Sequence, residues 1–552
     1  MNTITGKSAF LSLLEDEGVT HLFGNPGTTE LPIMDALSEH PDLTYVLGLQ
    51  EAVVVAMADG FARASGKLAA CNVHVAPGLG NAMGSLFNAS WFGSPMLITA
   101  GQQEIGHGLT EPMLYGPMVP MASPLVKWAT EVTRLADLPR IVRRAAKLAL
   151  TPPTGPVFLS LPGDILNQRA AVELGQRTRV DAAARPSEET LATLADRLLA
   201  ARAPVLIAGH ELATRDALAE AVQLAELLGA PVYQQTVPYG AHFPSEHRAF
   251  MGALTRVQQQ VRETLEPYDL LVCIGADVLR MSVWSETDPL PRDLPIVQIA
   301  ERDWELGKNY PAEIAVRADV KQTLGALCPV VGQRRSADRA QAADQRLQEL
   351  TDDNWSARRD KLRKQTFAAA ETVPIDPGFL MSRIAEALPR NAVVVDEGLT
   401  SAQALLSLLP FNDARSYYGL ASGGIGFAIA GAIGIHLALP DRPMLALIGD
   451  GSAMYSIQAL WTAAHLKLPI TYVIANNRGY RILKQRLKAF HGNENFVGMD
   501  FRDPEIDFVG LATSLGMEAR RVTAPADVGP ALEAALASGR PTLLDVAVRE
   551  SL

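Results

Sequence analysis

Short, almost continuous apolar runs alternate along this chain with longer segments whose apolar positions recur every three to four residues. In the first third, VTHLFG, LTYVLGL (43–49), AACNVHV (69–75), PMLITAG (95–101) and PVFLSLP (156–162) predict strands. Between them, 7–17, a stretch from about Glu30, EAVVVAMADGFARAS from Glu51 and GNAMGSLFNASWF predict helices. A strand that is apolar at successive positions is buried on both faces, and strands of that kind alternating with helices imply a parallel sheet covered by helices.

The pattern breaks over 167–189, where charge rises and a proline enters, and then resumes. Helices over 187–201 and 214–229 alternate with PVLIAG, PVYQQ, LLVCIGA (270–276) and PIVQIA (295–300), and a helix near 320 closes this unit. Residues 334–372 are charged and helix-prone, which predicts a solvated helical linker. A third alternation follows: helix 378–388, AVVVDE, the glycine-rich ASGGIGFAIAGAIG, PMLALIGDG, PITYVIANN, a helix near 500–516 and TLLDVAV. The expected fold is α/β, with three doubly wound parallel-sheet domains of similar size: 1–178, 186–333 and 376–552, the linker spanning 334–375.

Composition adds limits. With 552 residues, 48% apolar and a net charge of -11, the chain has no basic excess with which to neutralise nucleic-acid phosphates. No apolar run is long enough to span a bilayer, and the acidic amphipathic start is unlike a targeting peptide, so a cytoplasmic location is expected. Cys71, Cys273 and Cys328 stand alone in apolar stretches and predict buried free thiols.

The chemistry begins at Gly449-Asp450-Gly451, followed by Asn476-Asn477. Both elements fall at the carboxyl ends of predicted parallel strands, where open α/β sheets place ligands. Glycines permit close approach of backbone to a phosphate, and Asp450 and Asn477 offer oxygens to a hard cation such as Mg²⁺. Alone, Gly-Asp-Gly is a common turn; the spacing and the strand-helix-strand context give it weight.

These residues resemble the diphosphate motif of thiamine-diphosphate enzymes, and the whole chain resembles the benzoylformate decarboxylase and acetolactate synthase group. The resemblance implies thiamine diphosphate and Mg, the metal held by Asp450, Asn477 and the backbone oxygen of Gly479. Domain 1–178 would then bind the aminopyrimidine and domain 376–552 the diphosphate, with the loop Glu397-Gly398-Leu399-Thr400 and the turn Gly449-Asp450-Gly451-Ser452 at the diphosphate. Glu51, at a strand-to-helix junction, resembles the carboxylate that activates the cofactor through its aminopyrimidine. Ile425, beside Gly423, resembles the bulky side chain that bends the cofactor. In Gly24-Asn25-Pro26-Gly27-Thr28-Thr29-Glu30, Thr28 stands where a serine meets the substrate carboxylate, and Pro26 and Gly27 border it. His74, before a glycine-rich turn, resembles the family's proton relay, and Met113 and Leu114 resemble pocket positions. The implied reaction is decarboxylation of a 2-keto acid to an aldehyde through a ylid and an enamine. The implied assembly is a homotetramer, a dimer of dimers, with Glu51 and Asp450 meeting across a subunit interface.

The chain departs from that group in two places. After Gly275-Ala276-Asp277-Val278-Leu279-Arg280 it has Met281-Ser282-Val283-Trp284 where a second active-site histidine is usual. Ile482, Leu483 and Arg486 replace a pattern that usually holds an aromatic residue. Arg486 either pairs with a second substrate carboxylate or is a solvated surface charge, and the surface reading is preferred. The nearest rival function is a carboligase of the acetolactate synthase kind, although those enzymes bind a flavin and usually lack a histidine at the position of His74. A non-catalytic relative is the remote alternative.

Overall fold

A computed structural model describes residues 3–550. It contains three six-stranded sheets, and within each every pairing is parallel. The first runs, in spatial order, Thr44–Leu47, His21–Gly24, Ala69–Val73, Met96–Gln102, Val157–Pro162 and Ala129–Glu131. The second runs Phe250–Ala253, Val232–Gln234, Pro204–Ala208, Leu270–Ile274, Ile296–Ala300 and Ile314–Arg317. The third runs Tyr417–Gly419, Val393–Glu397, Met444–Gly449, Ile470–Asn476, Thr542–Ala547 and Glu518–Val522. A short antiparallel pair, Thr3–Thr5 with Arg169–Ala171, joins the start of the first unit to its end.

Neither strand of that pair was expected from the pattern, and five strands of the six-stranded sheets were not: Ala129–Glu131, Phe250–Ala253, Ile314–Arg317, Tyr417–Gly419 and Glu518–Val522. All five are sheet edges. An edge strand is covered less completely than a central one, so it needs no continuous apolar run; three of these five are half-exposed and the others are short. A second difference lies at His74. The strand stops at Val73, and Val75-Ala76-Pro77-Gly78 is the first turn of the helix Val75–Phe92 rather than a loop before it. Proline is tolerated in a first turn, where its missing N–H costs no hydrogen bond.

The segment after residue 334 is helical, but one face is buried. Its helices Ala337–Leu350 and Trp355–Phe367 are capped by Ser336 and Asn354. Ala343, Leu347 and Trp355 are buried, and Trp355 Nε1 donates to the carbonyl of Leu406 at 2.9 Å. The first and third units meet through the helices Glu51–Ser65 and Phe427–Ala438. A Cβ on Gly434 would lie 1.8 Å from the carbonyl oxygen of Met57, and one on Gly60 would lie 2.2 Å from that of Gly431. Beside this contact, buried Arg63 pairs with Asp59 at 2.7 Å, donates to Gly419 O at 3.1 Å and lies between the rings of Phe92 and Phe427.

Candidate active site

In the third sheet the chain leaves Val393–Glu397 toward Tyr417–Gly419 and returns to Met444–Gly449 on the other side, so the crevice between Glu397 and Gly449 is a topological switch point. Ligands bind at such crevices beyond the carboxyl ends of the strands. Here the structure has a cavity of about 720 Å³. Gly398, Leu399 and Thr400 line one side, and Gly449, Asp450, Gly451, Ser452, Asn477 and Gly479 line another. Gly423, Ile425 and Ile482 also face it.

The metal-ligand candidates converge because Met444–Gly449 and Ile470–Asn476 are adjacent and in register, Gly449 opposite Ala475. Asp450 is 3% exposed; its carboxylate accepts from the N–H of Gly451 at 2.8 Å and of Gly479 at 3.1 Å. Burial raises its acid, to about 6, against the pull of those backbone donors. Asn477 donates Nδ2 to Ser401 Oγ at 3.4 Å. Arg478, between the two ligand positions, is held at φ 57, a left-handed conformation that turns the chain between Asn477 and Gly479. The buried Ser452 Oγ has no hydrogen-bond partner among the described residues. A carboxylate, an amide and backbone carbonyls suit Mg²⁺, and an orphaned hydroxyl beside them suits a phosphate oxygen. The residues present therefore fit both groups.

Two neighbouring features were not expected. Glu397 does not face the cavity: it accepts from the N–H of Gly426 at 2.5 Å and of Ala428 at 2.7 Å, anchoring the start of Phe427–Ala438 just after Ile425. Leu399 follows at φ 48. The other wall comes from the central unit and from the helix Val75–Phe92, through Arg256, Arg280, Met281, Ser282 and Trp91. No histidine lines the cavity, and Ser282 does.

Glu51, His74 and Thr28 do not line this cavity. Glu51 is the first residue of its helix and is 7% exposed; Gln50 caps that helix, and Asn81 Nδ2 donates to Glu51 Oε2 at 3.1 Å. His74 Nδ1 lies 2.6 Å from Glu30 Oε2, and Thr29 Oγ1 lies 3.2 Å from the same nitrogen. Glu30, 1% exposed, also accepts from the N–H of Gly27 at 3.0 Å, the N–H of Gly101 at 2.8 Å and the Thr29 hydroxyl at 2.8 Å. Glu30 thus fixes the imidazole, a role not assigned from the sequence; its one signal was an acid three residues after a turn glycine, the spacing of a capping box. Gly27 is required by this approach, since a Cβ there would fall 2.1 Å from His74 Nδ1. Pro26 and Thr28 are exposed. So are Met113 and Leu114, the latter at φ 73, on a loop whose Leu109 and Met113 are 93% and 86% exposed. Arg486 is exposed, lies 5.9 Å from the centroid of the Phe490 ring and does not line the cavity.

Comparison with known proteins matches three domain families along the chain. Residues 4–113 match the N-terminal TPP binding domain of thiamine pyrophosphate enzymes, 191–327 their central domain and 398–546 their C-terminal TPP binding domain. The benzoylformate decarboxylase of Pseudomonas aeruginosa is 35% identical over 545 residues, covering 98% of each chain. The acetolactate synthase isozyme 1 large subunit of Escherichia coli is 27% identical over 99% of this chain and 94% of its own. Among solved structures, a thiamine diphosphate-dependent 4-hydroxybenzoylformate decarboxylase from Rhodococcus jostii superposes with a TM-score of 0.87 at 33% identity, covering 99% of this chain and 100% of that one. Benzoylformate decarboxylase from Polynucleobacter necessarius superposes at 0.89 with 29% identity, covering 99% of each.

Proposed function

The chain belongs to the thiamine pyrophosphate enzyme family, and from that premise we propose that it converts a 2-keto acid to an aldehyde and CO₂, using thiamine diphosphate and Mg²⁺. The observation that carries this reading is the cavity at the switch point of the third sheet, where Asp450, Asn477 and Gly479 gather beside the turn 449–452. The net change is R–CO–COO⁻ plus H⁺ to R–CHO plus CO₂. The bound cofactor supplies a nucleophilic carbon and an electron sink for the pair released when CO₂ departs. Asp450, Asn477 and the carbonyl of Gly479 would hold the metal; Gly398, Leu399, Thr400, Gly451 and Ser452 would meet the diphosphate; Gly423 and Ile425 would support the rings.

Glu51 would hold a proton on the aminopyrimidine side, its carboxylate fixed by Asn81. His74, fixed by Glu30, would move the product proton, and the Thr28 hydroxyl would donate to the substrate carboxylate. Because those three residues do not line the cavity that contains Asp450 in the same chain, the working site is proposed to join the first domain of one protomer to the third domain of another. A dimer is then the smallest active unit, and a dimer of dimers the proposed assembly. The exposed apolar Leu109, Met113 and Leu114 fit a face that is covered on association.

An aldehyde-release assay with thiamine diphosphate and Mg²⁺ tests this reading across benzoylformate, pyruvate, branched-chain 2-keto acids and 2-ketoglutarate. Aldehyde from one of them, lost on dialysis against EDTA and restored by Mg²⁺, is the expected result. Ser282 in place of a second histidine leaves one proton relay, which favours a second reading: a 2-hydroxy ketone without aldehyde would make the chain a carboligase. Cofactor binding without consumption of any keto acid would overturn both.

A further inference from the structure

The cavity carries more positive charge than its own acids balance. Asp450 is its single acidic lining residue, against Arg256, Arg280 and Arg481. Two of these have local explanations. Arg280 contacts Asp277 at 3.2 Å, donates to Ala421 O at 3.0 Å and lies 4.5 Å from the centroid of the Trp91 ring, so its guanidinium is committed to the wall. Arg481 opens the helix two residues after Gly479; its buried Nε and Nη1 have no hydrogen-bond partner among the described residues, and it stands at the end of the cavity where the proposed diphosphate would lie.

Arg256 has no such explanation. It sits between the edge strand Phe250–Ala253 and the helix Gln258–Leu265 of the central unit, and reaches the cavity across a domain boundary. Among the described residues it makes no ion pair. The acid whose field bears on it, Asp396, already accepts from Tyr417 Oη at 2.8 Å and from the N–H of Gly398 at 2.9 Å. The other fields on it include those of two further cations, Arg280 and Arg486. Arg256 is exposed and lines the cavity; its guanidinium, hydrated and without an acid partner, is free to receive anionic oxygen from a ligand in the cavity.

Resting on the proposed reaction at this site, we propose that Arg256 receives a second carboxylate at the far end of the substrate, so that the chain selects 2-keto diacids over 2-keto monoacids of the same length. In the proposed reaction Thr28 of another protomer would meet the keto acid's own carboxylate, which leaves Arg256 for the distal group. Arg486, exposed at the edge of this field, adds to the positive potential that draws such a substrate in.

The test uses the full-length protein loaded with Mg²⁺ and 3-deazathiamine diphosphate, an analogue without the reactive thiazolium centre, so that binding is read by calorimetry without turnover. Matched pairs are compared: 2-oxoglutarate with 2-oxopentanoate, 2-oxoadipate with 2-oxohexanoate, and 4-carboxybenzoylformate with benzoylformate. In at least one pair the diacid should bind about 10- to 100-fold more tightly than its monoacid partner, the range for one charge-assisted hydrogen-bonded contact. That ratio should collapse toward one in Arg256→Ala and Arg256→Gln and be kept in part by Arg256→Lys. No preference in any pair, or a preference that survives Arg256→Ala, overturns the proposal. An Arg256-dependent preference without CO₂ release under the true cofactor would uphold this inference and defeat the decarboxylase reading. Decarboxylation without the preference would do the reverse.

Discussion

At the scale of single residues, the charges that matter most are buried carboxylates whose partners are backbone N–H groups. Glu30 is the clearest: four contacts hold it, and one of them orients His74. Glu30→Gln should lower turnover by about 10²–10⁴-fold, the span of a displaced general acid-base group. Combined with His74→Ala it should cost no more than His74→Ala alone, because both changes remove one unit. Steady-state kinetics on the three variants check this. Glu211, far from the reaction, shows the cost of burial: it is 4% exposed and its acid is pushed up from 4.5 to about 7, although it accepts the N–H of Glu301 at 2.9 Å. Between those two pH values the unfolded chain releases a proton that the folded chain keeps, so this group lowers stability as pH rises through the window. Glu211→Gln should flatten that part of the stability-pH curve, measured by urea unfolding from pH 4.5 to 7.

At the scale of elements, the helix pair Glu51–Ser65 and Phe427–Ala438 sets the relation between the first and third domains. Each helix begins at or beside a candidate site residue, Glu51 in one case and Ile425 in the other, so the packing of the pair fixes where both stand. The glycines are needed because backbone meets backbone at Gly434 and Gly60. Gly434→Ala should destabilise the fold by about 1–3 kcal/mol, the usual cost of overpacking, read as a lower denaturation midpoint. The sheets make a related point. Central strands such as Leu270–Ile274 are visible as apolar runs because both faces are covered, whereas Ile314–Arg317 and Glu518–Val522 at the edges mix polar and apolar positions and carry no such signal.

At the scale of the whole molecule, the proposed division of the site between two protomers leads to a complementation test. Glu51→Gln and Asp450→Ala should each be inactive alone. If the site is shared, co-assembled dimers of the two variants should regain about a quarter of wild-type activity, because random pairing puts one intact site in half of the dimers. No recovery in verified mixed dimers would place each site within a single protomer.

The sequence by itself determined the α/β class and the three-part division of the chain, and it marked the turn 449–451 and Asn477 as neighbours, because those rest on local periodicity and on residues close together along the chain. Gly449-Asp450-Gly451 and Asn477 could be paired in advance, since adjacent parallel strands of matched length must end side by side. Only the tertiary structure decided that Glu30 fixes His74, that Glu397 turns from the cavity to the next helix, and that Arg256 of the central domain reaches the cavity. Each of those contacts joins residues from separate elements whose approach depends on domain packing, and no spacing along the chain encodes it.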